Sequence, residues 1–124
     1  MYVLGQMVAA VKPDGQVLDL QVIRPNPVVE VDGRVVCEID GRPLFVMADA
    51  ATAAVDEHVR RGLLMEEEVD DHDVREHYTD GVDLIAAYAT KRRRLPRDEL
   101  QALRALAGSC AVRERCRLRR LRVR

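Results

Sequence analysis

Aromatic residues are scarce in this sequence. Its 124 residues include three Tyr, one Phe and no Trp, so we expect a core of Val, Leu, Ile and Ala instead of the large rings that dominate many cores. Tyr88 is the only aromatic residue near the basic end of the chain. Because proteins usually hold single-stranded nucleic acid by stacking its bases on aromatic side chains, this scarcity disfavours single-strand binding.

Long apolar runs are also missing. Segments such as 84–89 fall far short of the roughly 18 residues that a membrane-spanning helix needs, and no basic region precedes the short apolar start, which disfavours a secretory signal peptide. Three cysteines, Cys37, Cys110 and Cys116, form no framework spacing. We therefore expect a reduced, cytoplasmic protein without membrane contact and without an obligatory disulfide, although spacing alone leaves a Cys110–Cys116 bond open.

Motifs that would indicate chemistry are missing as well: there is no glycine-rich phosphate loop, nucleotide fingerprint or nucleophile elbow. On a helix, His72 and His77 would each lie on the same face as a nearby carboxylate, and a His–carboxylate set of this type could bind zinc. The spacing of these residues, however, matches no zinc motif. Arginines beside Cys110 and Cys116 would lower the pKa of an exposed thiol, but no His nearby could act as its base. We therefore expect no enzyme activity, no cofactor and no metal.

Charge is what this sequence has in abundance, and it is sorted along the chain. Residues 91–124 contain thirteen Lys or Arg and three acids, a net charge of +10. Residues 49–90 contain twelve acids and three Arg, a net charge of −9, and residues 1–48 carry −2. The total of −1 therefore hides a dipolar chain. Concentrated arginine needs anions nearby, so the source of those anions is the question on which function depends.

Turn signals and alternation predict β-strands in the first 48 residues. Residues 12–15 (Lys-Pro-Asp-Gly) are typical of a turn, and so are the Asp-Gly pairs that begin at Asp32 and Asp40. Apolar side chains alternate with polar ones at Leu18 and Leu20. The predicted strands span residues 2–11, 16–23, 28–31, 34–39 and 43–47. Together they would form a β-meander.

Helical periodicity replaces this alternation after Met47. Asp49 and Asp80 can each cap a helix, and Gly108 is a stop signal. Between the first two helices lies a polar, acidic stretch at 66–80, with room for a short helix at 71–78. The predicted main helices span residues 50–64, 81–94 and 97–107.

The last segment, 111–124, has a poor helical pattern and a better strand pattern. A bulge at Arg119-Arg120 would turn six arginines to one face. These six are Arg115, Arg117, Arg119, Arg120, Arg122 and Arg124. A helix-turn-helix is the alternative, but it would place Arg104 and Glu114 where that motif needs small and apolar residues. We therefore predict a basic strand.

These patterns predict one α+β domain spanning 1–124, with a β-meander at 1–48, a helical region at 49–107 and a basic strand or tail at 108–124. The meander, joined by the C-terminal strand, would form a small antiparallel sheet that packs on two to three helices.

For function, we expect a non-enzymatic binding or regulatory protein that engages a polyanion, with nucleic acid as the leading partner. The alternative is a protein–protein interaction module, such as an inhibitor, an assembly subunit or a self-associating scaffold. Its charged blocks would pair with an acidic protein surface or with another copy in a homo-oligomer. The candidate binding residues are Arg92, Arg93, Arg94, Arg115, Arg117, Arg119, Arg120, Arg122 and Arg124. Both hypotheses assume that the tail guanidinium groups are not neutralised within their own chain.

Overall fold

The computed structural model of this chain describes the backbone of residues 2–124, and their side chains except those of Tyr2, Val3 and Met7. Its four strands are β1 (Gln16–Val31), β2 (Arg34–Glu38), β3 (Leu64–Tyr78) and β4 (Cys110–Val123). Its helices are α1 (Tyr2–Ala10), α2 (Arg42–Arg60), α3 (Gly81–Tyr88) and α4 (Leu100–Arg104), the last preceded by a 3-10 turn (Arg97–Glu99). The predicted α+β class is confirmed.

The strands form one open antiparallel sheet in the order β2-β1-β4-β3. β4 pairs with β1 from Gln16↔Arg122 to Glu30↔Ala111, and on its other side with β3 along the full length of both strands. The prediction that the C-terminal strand joins the N-terminal strands is therefore confirmed. As a result, the basic strand lies directly beside the acidic segment of the chain.

Helices cover opposite faces of the sheet at its two ends. We call the faces odd and even, after the numbers of the β4 residues that project to each. On the odd face, Val55 of α2 packs with Val17 and Leu121, and on the even face Leu84 of α3 packs with Val112. Each face therefore has one covered half and one half left open.

The predicted helix cap at Asp80 operates as expected. Asp80 caps α3, because its Oδ1 accepts a hydrogen bond from the Asp83 backbone N–H at 2.8 Å. Gly81 follows at a close crossing with α4, where a Cβ would lie 1.6 Å from the carbonyl oxygen of Leu103. Only glycine fits there without displacing the neighbouring backbone.

Several predicted boundaries are wrong. The segment predicted as strand 2–11 forms α1, in which Leu4 and Val8 lie one turn apart and pack into the odd-face core. The segment predicted as strand 43–47 is the first turn of α2, where Pro43 is tolerated because that turn needs no backbone donor. Asp49 therefore lies inside α2 and caps nothing.

The acidic stretch predicted as polar, with a short helix at 71–78, is the long strand β3. The predicted helix 81–94 ends at Tyr88, because Arg94 exchanges two backbone hydrogen bonds of 2.9 Å with Asp40 and so leaves the helix. The predicted helix 97–107 is only the 3-10 turn and α4. In the first two of these segments, a tertiary contact outweighs the local pattern.

Candidate anion-binding site

The arginines of β4 divide between the two faces of the sheet. The bulge that the sequence predicts at Arg119-Arg120 of β4 lies instead in the neighbouring strand β3. There, Glu67 is the extra residue between the pairs Glu66↔Leu121 and Glu68↔Arg120. β4 itself therefore alternates regularly. Arg115, Arg117 and Arg119 project to the odd face, and Arg120 and Arg122 to the even face. The prediction that the tail arginines share one face is wrong.

On the odd face, each tail arginine has a carboxylate partner from the same chain. Arg117 makes a bidentate contact with Asp71, with nitrogen–oxygen distances of 2.8 and 2.9 Å. Arg115 donates to Asp73 at 3.2 Å. The hydrogen bond from Arg117 lowers the pKa of Asp71 below the ordinary value of an aspartate.

Arg119 is the most buried of these cations, with 7% of its surface exposed. It donates to Asp56 of α2 at 2.8 Å and to Glu66 of β3 at 2.7 Å. This arginine therefore ties a helix to the sheet and is not available to an external anion.

The even face repeats this arrangement around the β3 bulge. Arg122 contacts Glu67 Oε2 at 2.8 Å, and Arg120 contacts Glu68 at 3.1 Å. Arg124 donates to the sulfur of Met65 at 3.4 Å and makes no ion pair with a residue that the structure describes. Except at this last residue, the expectation that the tail arginines lack partners within the chain is wrong.

The segment that follows α3 and ends at the first residue of the 3-10 turn, which we call the basic loop (91–97), carries Lys or Arg at five of its seven positions and no acid. Two of these cations anchor it to the even face. Arg93 contacts Glu114 at 2.7 and 2.8 Å, and both side chains are mostly buried. Lys91 donates to Glu76 at 2.8 Å and lies over the Tyr88 ring. With the backbone pairing of Arg94, these contacts hold the loop in place.

The other three cations of the basic loop are exposed: Arg92, Arg94 and Arg97. None of them makes an ion pair with any acid among residues 2–124. Arg94 and Arg97 line an open cleft of about 1480 Å³, together with Arg42, whose guanidinium is held by Asp40 at 2.8 and 2.9 Å. Pockets for small molecules are usually 300–1,000 Å³, so this cleft suits a larger ligand.

Sequence reasoning had singled out Arg92 and Arg94 but missed Arg97 and Arg42. The signal for Arg97 was available, because it belongs to the same acid-free run of cations. Nothing in the sequence near Arg42 indicates this cleft, since the turn after β2 brings that residue there from a distant part of the chain.

The thiols and histidines form no comparable site. All three cysteines are free, and Cys110 and Cys116 are buried, so the exposure that a lowered thiol pKa would require is missing and burial raises the pKa of both. Burial also raises the pKa of Cys37 to about 11. His72 and His77 lie on a strand, so the helical faces that each was expected to share with a carboxylate four residues away do not form. Within the described residues, no group of three or more His, Cys, Asp or Glu could hold one.

In the part of the chain that the structure describes, no helix is both long and apolar enough to cross a membrane. Comparisons with family models, curated proteins and solved structures gave no match. Function therefore has to be inferred from the residues themselves.

Proposed function

We propose that this chain is a non-enzymatic, cytoplasmic binding or regulatory protein that engages a polyanion, with nucleic acid as the leading candidate, through the basic loop. The observation that carries this proposal is that Arg92, Arg94 and Arg97 of the basic loop are exposed, the last two at the cleft, without carboxylate partners in the described chain. The tail arginines from Arg115 to Arg122, which have such partners, would contribute little.

The geometry of the basic loop suits phosphate groups. Each guanidinium can donate two parallel hydrogen bonds to a phosphate. The anchors at Lys91 and Arg93 order the loop before binding, so less conformational entropy is lost when a ligand arrives.

Tyr88, the one aromatic residue among the described residues lining the cleft, is buried. A duplex backbone therefore fits this surface better than stacked single-stranded bases.

The number of free arginines predicts the salt dependence of binding. If three phosphates are contacted, the logarithm of duplex affinity falls with a slope of about −2.7 against the logarithm of salt concentration. Affinity would then drop about 40-fold between about 50 and 200 mM salt. Fluorescence anisotropy with labelled duplex DNA and duplex RNA measures this slope.

The decisive variant is Arg92→Gln/Arg94→Gln/Arg97→Gln. We expect it to lose most of its duplex affinity at low salt while its melting temperature is unchanged, because these side chains make no ion pair in the described structure. The matched control is Arg115→Gln/Arg117→Gln/Arg122→Gln, which removes the same charge from paired positions and should retain most of the binding. Equal losses in the two variants, or no binding by the wild type at about 50 mM salt, would contradict the proposal.

A second candidate function, a protein–protein interaction module, is favoured by the open half of the even face. Leu18 and Leu20 are 62% and 57% exposed there, and Leu118 pairs with Leu20 beside them. An aliphatic strip on an uncovered sheet half is typical of an interaction surface. The charge blocks that we expected to meet between molecules already meet within one chain.

Light scattering tests the self-associating form of this candidate. An apolar interface persists or strengthens at high salt, whereas one between charged blocks weakens. Leu18→Ser/Leu20→Ser should shift an oligomer to monomer without unfolding, because both side chains are exposed. A wild-type monomer at both low and high salt would exclude self-association.

A further inference from the structure

The outer side of β3 is a long, open sheet edge. Within residues 2–124, no strand lies beyond β3. Eleven of its fifteen residues are exposed, against one of fourteen in β4. An edge strand presents a row of backbone N–H and C=O groups that are ready to pair with another strand. At about 3.3 Å per residue, this edge extends over about 45 Å.

Charge along this edge restricts what can pair with it. β3 contains seven carboxylates and one arginine, a net charge of −6. The carboxylates of Glu68, Asp70 and Glu76 remain 60%, 63% and 57% exposed. All three project to the even face, Glu68 and Asp70 as neighbours on that face and Glu76 three positions further along it. A second copy of this edge would be repelled, because like charges directly opposite each other destabilise strand pairs.

The inner side of β3 shows which sequence pattern this strand accepts. β4 carries arginines at alternate positions, and they contact successive β3 acids, as in the pairs Arg115–Asp73 and Arg117–Asp71. A carboxylate can accept up to about four hydrogen bonds, so an acid that already contacts one arginine can still receive another from the opposite side.

We propose that the outer edge of β3 binds an extended, Arg- or Lys-rich segment of a partner protein as a fifth strand of the sheet. Main-chain hydrogen bonds would supply affinity, and the exposed carboxylates would select basic side chains at alternate positions. This acidic edge repels nucleic acid, so the inference goes beyond polyanion binding at the basic loop and needs a different partner.

A labelled peptide of about ten alternating Arg and Val residues is the probe. We expect it to bind the full-length protein in fluorescence anisotropy and to slow hydrogen exchange at alternate β3 amides, those that face outward in the free protein. A peptide with Glu in place of Arg tests charge selection. The same basic peptide with alternate backbone nitrogens methylated tests pairing, because it keeps the charge but cannot complete the ladder. Failure of the basic peptide to bind, or equal binding of the methylated one, would overturn the proposal.

Protein variants locate the site. Glu68→Gln/Asp70→Asn/Glu76→Gln should weaken peptide binding about tenfold, which corresponds to three exposed ion pairs. The matched control is Asp32→Asn/Glu38→Gln/Asp98→Asn, which removes the same charge from acids that lie off β3 and should bind as the wild type does. Equal effects of the two variants would refute binding at this edge. Arg92→Gln/Arg94→Gln/Arg97→Gln should bind the peptide normally, which separates this result from the fate of the proposed polyanion site.

Discussion

β4 and the basic loop are both rich in arginine, yet their charges meet opposite surroundings. All six arginines from Arg113 to Arg122 contact a carboxylate of the same chain. In the basic loop, Arg92, Arg94 and Arg97 contact none in the described structure. The two segments have similar arginine content, so composition does not explain this difference.

Position in the fold explains it. β4 pairs with β3, which carries seven carboxylates spread over both faces of the sheet. Each β4 arginine therefore reaches a carboxylate of β3, or one of β1 or α2 on the same face. The basic loop is held instead by backbone bonds to Asp40 and by two side-chain anchors, one of them to Glu76 of β3, but it does not pair along β3 as β4 does. An arginine-rich segment is therefore a binding candidate only after its neighbours in the fold are known.

The largest loss of unfolding free energy is expected at Arg93, the basic-loop arginine that, like the arginines of β4, is paired with a carboxylate of its own chain. Its partner Glu114 is only 13% exposed, so Glu114→Gln would leave a buried guanidinium without a compensating charge. We expect a loss of about 3 kcal/mol in unfolding free energy, because breaking a buried pair from one side is costly. Urea denaturation measures this, and a loss below about 0.5 kcal/mol would show that the loop needs no such anchor.

A smaller but clear loss is expected from Asp56→Asn/Glu66→Gln, which removes both carboxylates from Arg119. We expect a loss of about 2 kcal/mol, because Arg119 is buried while its partners remain partly exposed and the new amides still accept hydrogen bonds. Arg92→Gln/Arg94→Gln/Arg97→Gln is the comparison in the same assay and should stay within about 0.5 kcal/mol of the wild type. Equal losses would mean that the two arginine groups do not differ in role.

Much of the fold can be predicted from local sequence, but the partners of its charges cannot. The alternation in β4 and the cap at Asp80 are signals within a few residues, and the structure confirms both. Local sequence does not favour a strand in the acidic run from Glu66 to Glu76, because its carboxylates repel one another until β4 supplies arginines. The bulge at Glu67 also depends on that pairing, so the faces on which the tail arginines lie could not be assigned in advance.

Adding a carboxylate at the cleft beside the basic loop would test the comparison in the opposite direction. Ala89 is exposed and lines the cleft beside Arg94 and Arg97, so Ala89→Glu would give these arginines an internal partner like those of β4. We expect duplex affinity to fall about fivefold at low salt, close to the loss of one phosphate contact. Ala89→Gln is the neutral control of the same size. Equal binding by the Glu and Gln variants would show that charge at this cleft does not govern binding.

The smallest effect concerns Asp40, which lies at the same cleft and has its own arginine. A side-chain hydrogen bond and a backbone hydrogen bond from Arg42 lower the pKa of Asp40 to about 2. The ordinary pKa of Asp is about 3.9, so the stabilisation from this contact is complete above about pH 4 and is lost as the pH falls through about 2. Arg42→Gln should raise the pKa of Asp40 in a carboxyl NMR titration, but not fully to the ordinary value, because the backbone N–H still donates to Asp40 at 3.1 Å.

The same titration of Asp71, before and after Arg117→Gln, gives the matching measurement beside β4, where the pKa should also rise. If the pKa rises at neither site, these arginines are not what lowers the pKa of their partner carboxylates.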